Sequence, residues 1–234
     1  MKAWRRFTDH KPVGSPLVLA ADHYAIREAS TLFRARRSRA SEQPRVFKSG
    51  RHSRKIGSHV TKGAWSGMPI YTLSLEERAT CPRSCSHWRD CYGNKMNWSV
   101  RLQPGKDLKE AIEHELAAFS EKHPSGFVIR LHVLGDFYNV GYVLFWRLML
   151  RLHAPLRVFG YTAWQPDTAI GRAVYETRRE HLDRFAVRFS DGPSDYFRTG
   201  PDGIVCPAQT EKTDCCGTCG LCWSTPKPIA FMVH

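Results

Sequence analysis

From residue 68 to residue 190 the chain alternates between short runs of strand-forming residues and longer amphipathic stretches. That alternation limits the fold more than any other feature of its 234 residues. "MPIYTLSL" (68–75), "GFVIRLHVL" (126–134), "LRVFGYTAW" (156–164) and "RFAVRFS" (184–190) read as strands, and "PIAFMVH" (228–234) as a last short one. Between them, residues 106–122 place Leu108, Ile112, Leu116 and Phe119 on one helical face. Residues 140–153 read as a mostly buried helix. Residues 167–182 form another, with Asp167 and Thr168 as capping candidates. Strand and helix in turn imply parallel strands joined by right-handed crossovers. An eight-stranded closed barrel needs a longer chain. The expected fold is therefore α/β, a partial, open parallel β/α barrel of five or six strands. A basic N-terminal extension (residues 1–62) would precede the barrel domain (63–234), whose C-terminal segment is cysteine-rich. Within the extension only residues 22–37 suggest a helix, and the rest reads as loop or arm.

In folds of this type the chemistry collects at the carboxyl ends of the strands. Four places qualify: the cysteines that follow residue 80, Gly135 to Tyr138, Thr162 to Trp164, and Ser190 with Asp191.

The eight cysteines fall into two clusters. No signal-peptide pattern opens the chain, which reads as cytoplasmic, so clustered thiols suggest metal rather than disulfides. Cys81, Cys85 and Cys91 are spaced C-x3-C-x5-C. Thiolates suit zinc or iron–sulfur clusters, and three leave one position open. A structural zinc closed by His87 or His132, or a metal shared with the second cluster, fits the same residues. His132 otherwise reads as an interior histidine. "CPAQTEKTDCCGTCGLCW" supplies Cys206, Cys216, Cys219 and Cys222 for a closed four-thiolate site of zinc or a second iron–sulfur cluster. Cys215 is left over or replaces Cys216. Gly217 and Gly220 let the backbone turn tightly between ligands.

Charge is uneven. Residues 1–62 carry 15 Lys and Arg against 4 Asp and Glu, while the rest carry 20 against 18. The densest stretch presents Arg34, Arg36, Arg37, Arg39, Arg45, Lys48, Arg51, Arg54 and Lys55. Such density favours a nucleic-acid backbone, DNA ahead of RNA, over a membrane surface, because the segment has no apolar helical face. A solvated basic arm without a partner is the plainer alternative. Tyr92, Trp98, Phe137, Tyr138 and Trp164 could stack on an extruded base, or fill core.

"CPRSCSHWRDCYGNKM" after a strand resembles the cluster loop of radical S-adenosylmethionine enzymes, with a second gap of five residues in place of two. "RLHVLGDFYNVGYVLFW" and "VFGYTAWQP" resemble their second and third strands, and the run is also similar to the phage "gene product 88" family. The resemblance covers residues 68–223. It implies a [4Fe–4S] cluster on Cys81, Cys85 and Cys91, S-adenosylmethionine near Gly135, Asp136, Tyr92 and Thr162, an electron donor, and a phage or bacterial host cytoplasm.

Asp136 and Asp191 stand where catalytic carboxylates would stand, as nucleophile or general base, or as caps of the next turn. They support a rival reading, base-exchanging transglycosylases of the kind that insert 7-deazaguanine into phage DNA. These also pair an α/β barrel with catalytic aspartates and a cysteine-rich metal site. A third reading is a non-catalytic, zinc-stabilised nucleic-acid-binding protein. The first expectation remains an iron–sulfur, radical-type enzyme that modifies nucleic acid.

Overall fold

A computed structural model describes residues 16–232. Its centre is a five-stranded sheet of β2 (Lys48–Ser49), β3 (Ile70–Thr72), β5 (Phe127–Leu131), β6 (Leu156–Thr162) and β7 (Phe185–Phe189), in that spatial order. The last four are parallel and follow chain order, while β2 runs antiparallel along the β3 edge. Two small two-stranded sheets flank it: β1 (Arg37–Ser38) with β4 (Arg101–Leu102), and β8 (Thr199–Val205) with β9 (Ile229–Ala230).

The register explains the layers. Tyr71, Ile129, Val158 and Phe185 stand abreast across the sheet, and with Leu131, Val187 and Phe189 they belong to one core. That core is completed by α2 (Lys106–Lys122), α3 (Val140–Leu152) and α4 (Ala169–Glu180). A sheet wound in one direction sends every crossover to the same side, so the three helices share one face. The alternate row, Thr72, Arg130, Phe159 and Ala186, belongs to the opposite face. There Ile70, Val128, Phe159 and Ala186 pack against Ile56, Val60, Trp65 and Cys222. Trp65 and Trp223 stack with ring centroids 5.2 Å apart. The cysteine-rich segment, with α5 (Cys216–Cys219) and α6 (Leu221–Ser224), therefore covers the face that the helices leave bare.

Local signals were sound in the long elements. Leu108, Ile112, Leu116 and Phe119 of α2 are buried as their spacing predicts. The Thr168 hydroxyl caps α4 by accepting from Gly171 N at 3.0 Å. Other expectations need correction. The helix expected over residues 22–37 is only α1 (Tyr24–Arg27), ended by Ala29 in a left-handed conformation (φ +51°). The chain turns there because Thr31 is drawn inward, its amide to Glu76 Oε1 (3.2 Å) and its hydroxyl to Glu77 Oε1 (2.7 Å). Helix α3 is buried on one side only, and Leu144, Leu148 and Leu152 lie exposed along the other. The C-terminal strand pairs with β8 rather than with the main sheet, and residues 233–234 of that expectation lie outside the described residues. Residues 46–60, read as arm, contribute β2 and the buried Val46, Phe47, Ile56 and Val60. The first fifteen residues of the expected extension also lie outside the description. No helix among the described residues is long and apolar enough to cross a membrane.

Candidate functional site

The first cysteine loop is built on buried charge. Glu76, Glu77 and Arg78 follow β3 and are each 2 % exposed or less. Arg101, fully buried, pairs with Glu77 (Nε to Oε2, 2.8 Å). Its remaining donors gather the carbonyls of Gly93 (3.0 Å), Met96 (3.0 Å) and Ser99 (2.6 Å). Arg78 donates to Trp88 O (2.8 Å) and to Asn94 Oδ1 (2.6 Å). Two arginines thus hold a loop with little regular structure. Arg101 tolerates burial because each of its three nitrogens finds an acceptor and its charge finds Glu77, whereas Nη1 of the buried Arg78 has no partner among the described residues.

The loop is fastened to the next strand end by Thr80. Its hydroxyl donates to Glu76 O (2.8 Å) and accepts from Asp136 N (3.1 Å). Asp136 is 3 % exposed, and its carboxylate accepts from Phe137 N (2.7 Å) and Ala163 N (2.7 Å). It therefore joins the ends of β5 and β6, with the Thr162 hydroxyl also bonded to it. Burial outweighs these bonds and pushes its pKa up to about 7, so a fair share of Asp136 is protonated at neutral pH.

Cys81, Cys85 and Cys91 are free thiols that keep accessible surface, yet burial raises all three, Cys91 to about 11. Cys81 is pushed further by Asp136 and by the other two thiols. These partly exposed thiols define the cysteine recess, and Tyr92, 52 % exposed, is close enough to feel Cys91 and Cys81. Arg130 of β5 reaches it from the sheet, its guanidinium 4.7 Å from the Tyr161 ring centroid.

The second segment has a matching device. Arg188 of β7, also fully buried, donates to the carbonyls of Cys222 (3.0 Å), Thr225 (2.6 Å), Lys227 (2.9 Å), Leu221 (3.3 Å) and Arg198 (3.1 Å). Cys206, Cys219 and Cys222 are buried and Cys216 partly so. Tyr161 donates to Cys222 Sγ at 2.8 Å. Burial raises Cys216, Cys219 and Cys222, and each also feels Cys206, so the expected four ligands are neighbours. Gly217 is required by close approach, since a Cβ there would lie 2.1 Å from His59 O. Gly220 ends α5 at φ +76°, which glycine adopts without cost. Cys215 also acts on Cys219, while its amide donates to the Thr218 hydroxyl and its thiol faces it.

Both thiol sets fit a thiophilic centre by donor chemistry, and a bound cation would reverse the burial penalty by favouring thiolates. The thiols are gathered without being drawn onto single points. Among the described residues no group of three or more Cys, His, Asp or Glu side chains is placed so that it could hold a metal ion. Neither histidine considered as a fourth ligand joins the first set. His87 is exposed and faces Asp90 (3.3 Å). His132 is buried beside α3, Nε2 facing the Tyr142 hydroxyl (3.3 Å), and burial lowers its pKa to about 3.

The remaining candidates separate. Gly135 precedes Asp136 with φ +82°. Asp191 is exposed in a left-handed turn (φ +51°) after β7, away from the bonds that tie Asp136 to β6. Phe137 is core, Tyr138 stacks on Tyr142 at 4.4 Å, and Trp164 Nε1 donates to Phe137 O (2.7 Å). Tyr92 and Trp98 keep exposed rings. Of the basic residues, Arg34 pairs with Glu28, Arg36 donates to Asn97 O, Arg37 pairs with Glu76 and Arg39 stands at the Glu42 capping turn. Lys55 lies over the Phe231 ring, and Arg54 is exposed but engaged within the fold. Arg45, Lys48 and Arg51 point outward along the β2 edge. Glu76, Glu77, Arg101, Arg130 and Arg188 were not singled out as site residues by the sequence reading. The one sequence signal for them is charge inside or beside strand-like runs, as in "SLEER" and "VRF".

Neither a family model, nor a curated protein, nor a solved structure matches this chain.

Proposed function

We propose that this protein is a thiolate-metal enzyme that modifies nucleic acid, of the iron–sulfur, radical S-adenosylmethionine type. One observation carries the reading: three accessible thiols stand beside a buried carboxylate at the carboxyl ends of parallel strands. The chain-order sequence of β3, β5, β6 and β7 supports a partial, open barrel as the framework. Cys81, Cys85 and Cys91 would hold the catalytic centre, and Cys206, Cys216, Cys219 and Cys222 a closed one of iron–sulfur or zinc. A [4Fe–4S] cluster on three thiolates supplies an open iron and an electron for cleaving S-adenosylmethionine. The chain's own contributions are positional. Thr80 and Asp136 bind the cluster loop to the ends of β5 and β6. Asp136 can hold or release a proton near neutral pH beside Cys81. Tyr92 offers a ring face in the recess, and the basic surface supplies affinity for a phosphate backbone.

The test is iron and acid-labile sulfide per chain on protein purified without oxygen, followed by assay for reductive S-adenosylmethionine cleavage. About four of each, or about eight with a second cluster, is expected, with cleavage. Iron and sulfide without cleavage would remove the radical step and keep the metal. Zinc without sulfide would turn attention to base exchange through Asp136 and Asp191, or to a purely structural role for both thiol sets. Against base exchange, both oxygens of Asp136 are already bonded to backbone amides.

A further inference from the structure

Beside the cysteine recess lies a separate cavity of about 220 Å³. Arg45, Lys48 and His52 stand on its basic side, the hydroxyl residues Ser53, Thr72, Ser74 and Ser99 line it, and apolar side chains such as Val46, Val100 and Leu102 make up most of its wall. Its position is fixed from two directions. Glu115 of α2 accepts from the amides of Val46 and Phe47 and draws their side chains into the core. The flanking Arg45 and Lys48 are exposed at the rim, where both also act on the Glu115 carboxylate. On the far side, Met96 and Ser99 belong to the loop that continues from Cys91, and Arg101 holds the carbonyls of both. Val133, three residues before Asp136, lines the same cavity. The cavity therefore borders both the basic sheet edge and the loop that continues from Cys91.

Two cations, an imidazole and four hydroxyl residues on the polar side of this space suit a phosphate group, and the apolar wall suits the sugar beside it. The volume decides which kind. It falls below the roughly 300–1,000 Å³ of sites that enclose a whole small ligand. It takes a phosphate and part of its sugar, leaving the rest outside. Outside, a second depression continues past Lys48 and His52 to Arg51 and Lys122 along β2. We infer that this cavity seats one backbone phosphate of a nucleic-acid strand that lies along β2 and so leads its next nucleotides toward the cysteine recess. The inference rests on the nucleic-acid reading above and specifies where the strand is held.

The test is fluorescence anisotropy of short labelled DNA and RNA strands on the full chain over a salt series, with adenosine monophosphate in a parallel titration. The double variant Arg45→Gln, Lys48→Gln is compared with Arg172→Gln, Arg179→Gln, which removes equal charge from the exposed side of α4. Thermal midpoints check that both fold. The first variant is expected to bind about tenfold or more weakly, with its salt slope reduced by roughly two, and the second to stay within about twofold of wild type. Equal weakening of both would overturn the cavity while leaving the nucleic-acid reading intact. Binding of adenosine monophosphate, lost in the first variant, without binding of either strand would overturn the strand and the nucleic-acid reading together. No binding of any probe would do the same and remove the phosphate site as well.

Discussion

The two cysteine segments use one construction for opposite ends. Each is held by a fully buried arginine that collects backbone carbonyls, Arg101 for the first and Arg188 for the second. Each is pinned by a threonine hydroxyl, Thr80 at Asp136 N and Thr218 at Cys215 N. They differ in what surrounds the thiols. The first loop sits at the strand ends, its three thiols keep accessible surface, and Glu77 balances its arginine. The second segment lies flat on the sheet face, three of its four expected ligands are buried, and among the described residues Arg188 has carbonyl partners but no carboxylate. A thiol set that must meet a substrate needs an open side. One that must close a core needs to exclude water, and the uncompensated Arg188 suits a centre that is anionic when filled with four thiolates.

The sharpest way to break this contrast is to remove one thiol from each segment. Cys222→Ser should cost more than about 5 kcal/mol or abolish cooperative unfolding, because the thiol lies in the core beneath the Tyr161 hydroxyl and would belong to a structural centre. Cys85→Ser should cost no more than about 1 kcal/mol while removing the metal proposed for the first site. Urea unfolding with metal analysis reads both, and equal losses would erase the distinction.

The arginines give the next largest effect. Arg101→Met should cost about 3–5 kcal/mol, since it leaves the buried Glu77 carboxylate without its countercharge, and adding Glu77→Gln should recover part of that. Arg188→Met should cost about 1–3 kcal/mol for each carbonyl left unsatisfied, and no second substitution of an acid should rescue it. Double-mutant cycles separate the two cases.

The smallest net effect is in pH dependence, because two opposing contributions meet at the first site's end of the sheet. His132 is buried neutral, so its contribution is complete above its ordinary pKa of 6.5 and is lost as pH falls toward 3. Asp136 holds its proton more tightly folded than unfolded, so its contribution is present below pH 3.8 and is lost as pH rises to about 7. The two slopes oppose each other, each at most about 1.4 kcal/mol per pH unit. In a Cys85→Ser background, where the first centre cannot assemble, His132→Phe should remove the acid-side loss and leave stability falling from pH 4 to 7. A flat profile would mean Asp136 ionises normally.

The long helices could be read directly, because burial of one face repeats with the helical period and Leu108, Ile112, Leu116 and Phe119 obey it. Strand β8 could not, because "TGPDGIV" has the glycines and proline of a turn and pairs only where β9 returns to it. The thiol sets were visible as spacing, and the side of the sheet each occupies was not. The basic stretch was visible as charge, and several of its arginines proved to serve caps and internal pairs.

The sequence alone determined the alternation of strand and helix, the grouping of the cysteines and the excess of positive charge, since each depends on near neighbours. Tertiary structure decided which thiols are open, which aspartate is buried and which arginines lie inside. Arg101 meets Glu77 across 24 residues and Arg188 meets Thr225 across 37. A charge can be kept out of water only where distant groups arrive together to satisfy every donor, and no local pattern records that arrival.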